Sequence, residues 1–147
     1  MKVIVFYESR SGNTELAARH IGGICESLGV DTSVRSVRSG DYSGIPEADL
    51  IFLGTWVDGG FYWGQRAGGR RALLQLPGLW DKPTSLFATY AVNPGKMMDR
   101  FADWATRKLG IMPLTGQAFH RNRLPEGVED FVVRSLEAAG ATVDWGV

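Results

Sequence analysis

Apolar runs alternate with amphipathic segments along most of this chain, and this alternation restricts the fold more than any other feature. Residues 2–7 (KVIVFY) form a continuous apolar run rich in β-branched side chains. Such a run is typical of a strand that is buried on both faces of a parallel sheet. Residues 13–28 then change to helical spacing, and Gly29 suits the end of that helix.

The same alternation continues beyond the first helix. Further strands are predicted at the segments DTSVRSV, ADLIFLGTW, KPTSLFATYAV and IMPLTGQAF, and helices at GKMMDRFADWATRKLG and PEGVEDFVVRSLEAAG. A helix is also predicted over residues 66–76, whereas the broken stretch 39–48 leaves room only for a short helical turn. Short connections between alternating strands and helices predict a doubly wound α/β fold, with helices on both faces of a parallel sheet.

Composition limits the possible functions more loosely. The length of 147 residues suits one domain, which we expect to span residues 1–147. Sixteen basic residues balance sixteen acidic ones, so no strong field directs the chain to nucleic acid. The single cysteine, Cys25, excludes an internal disulfide and suits a reducing compartment. Because no apolar run is long enough for a signal peptide or a membrane span, we expect a cytoplasmic protein.

The loop after the first strand is rich in small polar residues. Its residues are Ser9, Arg10, Ser11, Gly12, Asn13 and Thr14. In an open parallel sheet, the carboxyl ends of the strands form the ligand edge, and the N-terminus of the following helix favours an anion. The alternative is a simple helix cap, in which Glu15 joins Ser11 or Gly12. The position after strand one and the three hydroxyl groups favour a phosphate site.

The pattern Ser9-x-Ser11-Gly12-x-Thr14 after a first strand resembles the FMN-phosphate loop of flavodoxins. The chain length and the order of elements are similar to those of a short-chain flavodoxin over essentially the whole chain. The resemblance implies a five-stranded parallel sheet in the order 2-1-3-4-5. It also implies that FMN binds at the carboxyl edge, with its ribityl phosphate in the loop 9–14.

The resemblance further implies that the loops after strands three and four hold the isoalloxazine ring. Trp56 resembles the tryptophan that packs on the flavin, and Val57 the next residue, which contacts the N5 atom; simple core packing is the alternative for Trp56. Tyr90 is expected either to stack on the other ring face or to point into the core. The cofactor-binding residues expected in these two loops are Thr55, Trp56, Val57, Asp58, Gly59, Thr89, Tyr90, Ala91, Asn93 and Gly95.

Three features depart from the electron-carrying flavodoxins. Those proteins are typically strongly acidic, whereas this chain is neutral. Val57 stands where many have glycine, which predicts weaker stabilisation of the one-electron-reduced cofactor because the turn there favours positive φ. The alternative is that the turn uses Gly59-Gly60. The segment Asn93-Pro94-Gly95 replaces an acidic, aromatic-ended loop. Five arginines near the predicted ligand edge are interpreted as a solvated face, with a positive docking or substrate patch as the alternative: Arg66, Arg70, Arg71, Arg121 and Arg123.

These residues favour an FMN-binding electron carrier, which implies two redox partner proteins, a reductase and an acceptor. The alternative is a flavin-dependent oxidoreductase of the same fold, acting on a quinone, a porphyrinogen or another flat substrate at the aromatic residues 61–63. A third alternative, an interaction domain that has lost FMN, is disfavoured by the intact phosphate loop. No catalytic residue is assigned, and no His, Cys or carboxylate cluster has metal-ligand spacing.

Overall fold

A computed structural model describes residues 1–58, 64–80 and 82–141, which form a parallel sheet with helices on both faces. The strands are β1 (Lys2–Tyr7), β2 (Asp31–Ser36), β3 (Leu50–Asp58), β4 (Arg66–Ala67), β5 (Pro83–Tyr90) and β6 (Met112–His120). The helices are α1 (Asn13–Ser27), α2 (Arg70–Leu73), α3 (Met97–Leu109) and α4 (Val128–Ala138), and a 3-10 turn covers Val37–Ser39.

The strand order confirms the predicted flavodoxin-like topology. The long strands lie in the order β2-β1-β3-β5-β6, and every neighbouring pair on this path is parallel. This is the expected order 2-1-3-4-5, because the two-residue β4 lies off the path and pairs antiparallel with β3. The partly buried strand β2 lies at the edge of the sheet, where it pairs with β1.

The helix predicted over residues 66–76 starts later and is much shorter in the structure. The structure has instead the short strand β4 followed by the four-residue helix α2. The reason is that β3 runs on past Trp56, so that Val57 and Asp58 pair with Ala67 and Arg66 in an antiparallel hairpin. Residues 66 and 67 therefore complete a ladder before the chain can turn into a helix.

Apolar side chains of the inner strands pack on both faces of the sheet, as their continuous hydrophobic runs predict. In β1, Val3 and Val5 belong to a core cluster with residues of α1 and α4. Ile4 and Phe6 point to the other face and belong to a cluster with residues of α3. Successive strand residues alternate between the two faces, so a strand covered by helices on both sides must be apolar throughout.

The parallel arrangement brings the carboxyl ends of four strands to one edge. Along the register, Tyr7 of β1 pairs with Gly54, and Gly54 pairs with Phe87 of β5. Tyr90, the last residue of β5, pairs with His120, the last residue of β6. The segments that follow β1, β5 and β6, together with the end of β3, therefore surround the same end of the sheet.

Candidate functional site

One cleft of about 270 Å³ lies at this carboxyl edge. Its lining residues are Arg10, Ser11, Asn13, Trp56, Val57, Thr89, Tyr90, Ala91 and Arg121. Eight of these nine residues were predicted as cofactor-binding residues from the sequence, and they come from three separate parts of the chain. The ninth, Arg121, was interpreted only as part of a surface cluster. Among the described residues, the lining contains two arginines and no aspartate or glutamate.

The polar loop after β1 is held together by its own side chains. Ser9 Oγ accepts a hydrogen bond from the Gly12 amide at 3.0 Å, and Asn13 Nδ2 donates to Ser11 Oγ at 3.1 Å. The amides of Asn13, Thr14 and Glu15 have no hydrogen-bond acceptor within the described part of the chain. Three backbone donors are therefore available at the N-terminus of a 15-residue helix, where the helix dipole favours an anion.

The simple helix-cap interpretation of this loop is wrong. The N-cap residue of α1 is Gly12, with φ of 93°, and no side chain caps the helix. Glu15 forms an ion pair with Arg19 at 2.9 Å instead of reaching back to the loop. A Cβ atom on Gly12 would meet no atom within 4 Å, so glycine is needed here for its left-handed backbone and not for lack of room.

A hydrogen bond between two buried threonines joins the loop to the sheet. Thr14 Oγ1 and Thr89 Oγ1 lie 2.9 Å apart, and the two residues are 1% and 3% exposed. Thr14 is the second residue of α1, and Thr89 is the next-to-last residue of β5. Because two hydroxyl groups share one hydrogen bond, one of the two hydroxyl hydrogens stays available to a further acceptor.

Trp56 is half-buried and lines the cleft, and its indole ring packs against the backbone of Gly68 and Gly69, which follow β4. Cβ atoms placed on Gly68 or Gly69 would overlap the indole ring. The Trp56 carbonyl accepts a hydrogen bond from the Gly68 amide at 2.8 Å, and its buried Nε1 has no acceptor among the described residues. Absence of side chains at these two glycines thus allows the indole to lie flat on the backbone at the rim of the cleft.

The prediction that Val57 lies in a turn is wrong. Val57 is a strand residue that pairs with Ala67, and it lines the cleft from that position. Asp58 pairs with Arg66, and its carboxylate lies 3.9 Å from the Arg66 Nε atom. The apolar pattern predicted a strand that ends at Trp56, but pairing with β4 extends this strand to Asp58.

Thr55 is fully buried and does not line the cleft. Its Oγ1 donates to the Gly68 carbonyl oxygen at 2.7 Å, so this hydroxyl fixes the end of the β3–β4 hairpin. Gly59 and the aromatic residues 61–63 lie outside the described residues.

Tyr90 is half-buried and lines the cleft rather than the core. Its ring meets the His120 ring edge to face, with centroids 5.2 Å apart and planes at 78°. Asn93 and Gly95 are not among the lining residues. They form an exposed turn, in which the Gly95 amide donates to Asn93 Oδ1 at 2.8 Å, and a Cβ on Gly95 would overlap the Gln65 side chain.

A buried acidic residue below the polar loop was missed from the sequence. Glu8 is 1% exposed, and its carboxylate accepts hydrogen bonds from Arg38 Nε at 2.7 Å and from the Ser9 amide at 3.1 Å. The ion pair holds Glu8 in place directly after the end of β1. An acidic residue directly after a fully apolar strand was the signal that could have found it, because a buried carboxylate needs a partner.

Burial and the Glu15 carboxylate raise the pKa of Tyr7, the last residue of β1.

In residues 1–58, 64–80 and 82–141, no three His, Cys, Asp or Glu side chains come close enough together to hold a metal ion. No helix within these ranges is long and apolar enough to cross a membrane.

Comparison with known families identifies the chain's relatives. A family model described as Flavodoxin domain matches residues 4–103, which is more than half of the sequence. The chain belongs to the flavodoxin domain family. This confirms the resemblance seen in the loop after β1 and supports the prediction of an FMN-binding electron carrier. No curated protein matches the sequence.

Solved flavodoxin structures are similar to this fold over nearly their whole length. The two-electron reduced flavodoxin of Megasphaera elsdenii superposes with a TM-score of 0.70 at 22% identity, covering 95% of this chain and 99% of that one. Oxidised flavodoxin 1 of Bacillus cereus gives 0.67 at 20% identity, covering 97% and 99%. The rubredoxin oxygen:oxidoreductase of Desulfovibrio gigas gives 0.63 at 18% identity, and the match covers 94% of this chain but only 35% of the larger protein.

Proposed function

We propose that this protein is an electron carrier that binds FMN in the cleft at the carboxyl edge of the sheet. The observation that carries the proposal is the convergence of three chain segments on one cleft. The segment after β1 supplies unbonded amides, the end of β3 supplies Trp56, and the end of β5 supplies Thr89 and Tyr90. A flavin mononucleotide needs both an anion site and a flat apolar site, and this cleft combines them.

The loop residues are suited to the phosphate end of FMN. The free amides of Asn13, Thr14 and Glu15 offer three donors at a helix N-terminus. Ser11 and Asn13 line the cleft, and the Thr14–Thr89 pair offers one more hydroxyl hydrogen. Open space around Gly12 lets phosphate oxygens approach the backbone. These donors are in place before any ligand binds, which lowers the entropic cost of binding.

Aromatic side chains of the cleft are suited to bind the isoalloxazine ring of FMN. Trp56 and Tyr90 line the same cleft, and each is held from behind, Trp56 by the glycine backbone and Tyr90 by His120. Flat rings in fixed positions bind a planar heterocycle and exclude water from it. When bound, FMN supplies the electron-transfer chemistry, and the protein sets its access and potential.

An electron carrier needs a reductase that supplies electrons and an acceptor that removes them. We propose that both are proteins, and that the carrier works in the cytoplasm. The single cysteine, which is fully buried, agrees with a reducing compartment.

The direct test is a titration of the purified apoprotein with FMN, followed by flavin fluorescence and absorbance. We expect saturable one-to-one binding, quenched fluorescence and a yellow complex. Binding of riboflavin, which lacks the phosphate, is expected to be weaker. A protein that is purified without colour and binds neither compound would refute the proposal.

Electron-transfer assays of the complex then separate the carrier from the oxidoreductase. A carrier exchanges electrons rapidly with redox proteins and consumes no small substrate. Steady turnover of a quinone in the presence of a flavin reductant would favour the oxidoreductase instead.

A further inference from the structure

Arg121 is the one cleft residue that neither the sequence pattern nor the family match accounts for. The family match ends at residue 103, whereas Arg121 directly follows β6. Its amide donates to the Tyr90 carbonyl at 2.9 Å, which ties its backbone to the end of β5. Arg121 lines the cleft together with Arg10 of the polar loop. Two basic residues from distant parts of the chain thus border the same cleft.

Neither guanidinium group has a partner in the described part of the protein. Other arginines close to carboxylates are paired, such as Arg38 with Glu8 at 2.7 Å and Arg19 with Glu15 at 2.9 Å. Arg10 and Arg121 form no hydrogen bond or ion pair through their side chains there, and the described residues that line the cleft include no aspartate or glutamate. Two positive charges at one cleft favour the binding of an anion there.

We propose that Arg121 binds the phosphate of FMN and, with Arg10, places two positive charges around it. A phosphate monoester carries about −1.5 to −2 charges at neutral pH, so two guanidinium groups match its charge. Arginine also donates in a planar fork that suits phosphate oxygens. The inference rests on the proposed function. In this phosphate site, hydroxyls and amides are joined by two positive charges, which contribute a large part of the affinity.

The test compares Arg121→Gln with Arg123→Gln in the full-length protein. Arg123 lies two residues further along the same segment and is also exposed, but it does not line the cleft. Both changes remove one positive charge, so only position differs. Affinities for FMN and for riboflavin are measured by flavin fluorescence at low and at high salt, and thermal unfolding of the apoprotein shows that each variant folds.

We expect Arg121→Gln to weaken FMN binding about tenfold, as loss of a hydrogen bond to a charged group does, with riboflavin affinity unchanged. Arg121→Lys keeps the charge but not the fork, so it should retain part of the FMN affinity. High salt should weaken FMN binding by the wild type more than by Arg121→Gln, because screening acts on the charge that the variant lacks. Arg123→Gln should bind FMN as the wild type does.

Several results would overturn the inference. Equal FMN affinities of Arg121→Gln and Arg123→Gln would show that Arg121 does not bind the phosphate. Equal losses of FMN and riboflavin affinity in Arg121→Gln would place its effect on the ring or on the fold. A wild-type protein that binds neither compound would refute the proposed function and this inference together, whereas FMN binding that is indifferent to Arg121 refutes the inference alone.

Discussion

The hydrogen bond between Thr14 and Thr89 provides a quantitative test of how the polar loop is attached to the sheet. The two residues are 75 positions apart in the chain, and both are buried. Thr14→Val and Thr89→Val preserve side-chain shape and remove one hydroxyl each. Each single change leaves the other hydroxyl buried without its partner, which costs about 1–3 kcal/mol.

Changing both residues removes both hydroxyls, so no buried polar group is left unpaired. We therefore expect the double variant to lose less stability than the sum of the two single losses, by about 1 kcal/mol or more. The assay is urea unfolding of the apoprotein, in which a loss of 1 kcal/mol moves the midpoint by about 0.5 M for a protein of this size. Thr106→Val is the matched control, because Thr106 is exposed on α3 and bonds only to the Ala102 carbonyl; its change should stay within about 0.5 kcal/mol.

Additive losses in the two single variants, within about 0.5 kcal/mol, would refute the coupling. The same variants also report on ligand binding. Since the pair offers one hydroxyl hydrogen to a phosphate, Thr14→Val should weaken FMN binding about three- to tenfold, while Thr106→Val should leave it unchanged.

Two other predictions concern α1. Gly23→Ala should stabilise the protein by about 0.5–1 kcal/mol, because a Cβ there meets no atom within 4 Å. Gly22→Ala should destabilise it by about 1–3 kcal/mol, because its Cβ would overlap Val34 of β2. Equal effects of the two changes in thermal unfolding would contradict this packing. Burial raises the pKa of the Cys25 thiol from 9.0 to about 12, so the native thiol should not react with a disulfide reagent at pH 8 and should react fully in urea. The thiol pKa is higher in the folded protein than in the unfolded chain, so the contribution of Cys25 to stability is complete below pH 9 and declines as the pH rises from 9 toward 12. Cys25→Ala should lessen that decline. Labelling of the native protein at pH 8 would contradict the second prediction.

The sequence predicted the fold well where a single periodic pattern determined the element. The apolar run 2–7 and the helical spacing after residue 13 both gave elements within one residue of those observed. The hairpin of β3 and β4 was missed because β4 has only two residues, too few for any period. Its existence depends on pairing with Val57 and Asp58, which is a tertiary interaction.

The site residues that belong to a local sequence pattern were predicted, and the one that depends on strand pairing was missed. Small polar residues at 9–14 form a local pattern, and two of them, Ser11 and Asn13, line the cleft. Arg121 has no local pattern, since one arginine after a strand reads like any surface arginine. Only the pairing of β5 with β6 brings it beside Tyr90. Asn93 and Gly95 show the converse, because a turn sequence close to the site in the chain lies outside the cleft.

The spread of the cleft residues along the chain also has a consequence for folding. The lining begins at Arg10 and ends at Arg121, and it requires β1, β3, β5 and β6 to be paired in order. A partly folded chain in which β6 has not yet joined the sheet has helices and a partial sheet, but only an incomplete cleft. A ligand of the cleft therefore stabilises the completed sheet over every earlier state. FMN should therefore raise the free energy of unfolding of the whole sheet, β6 included.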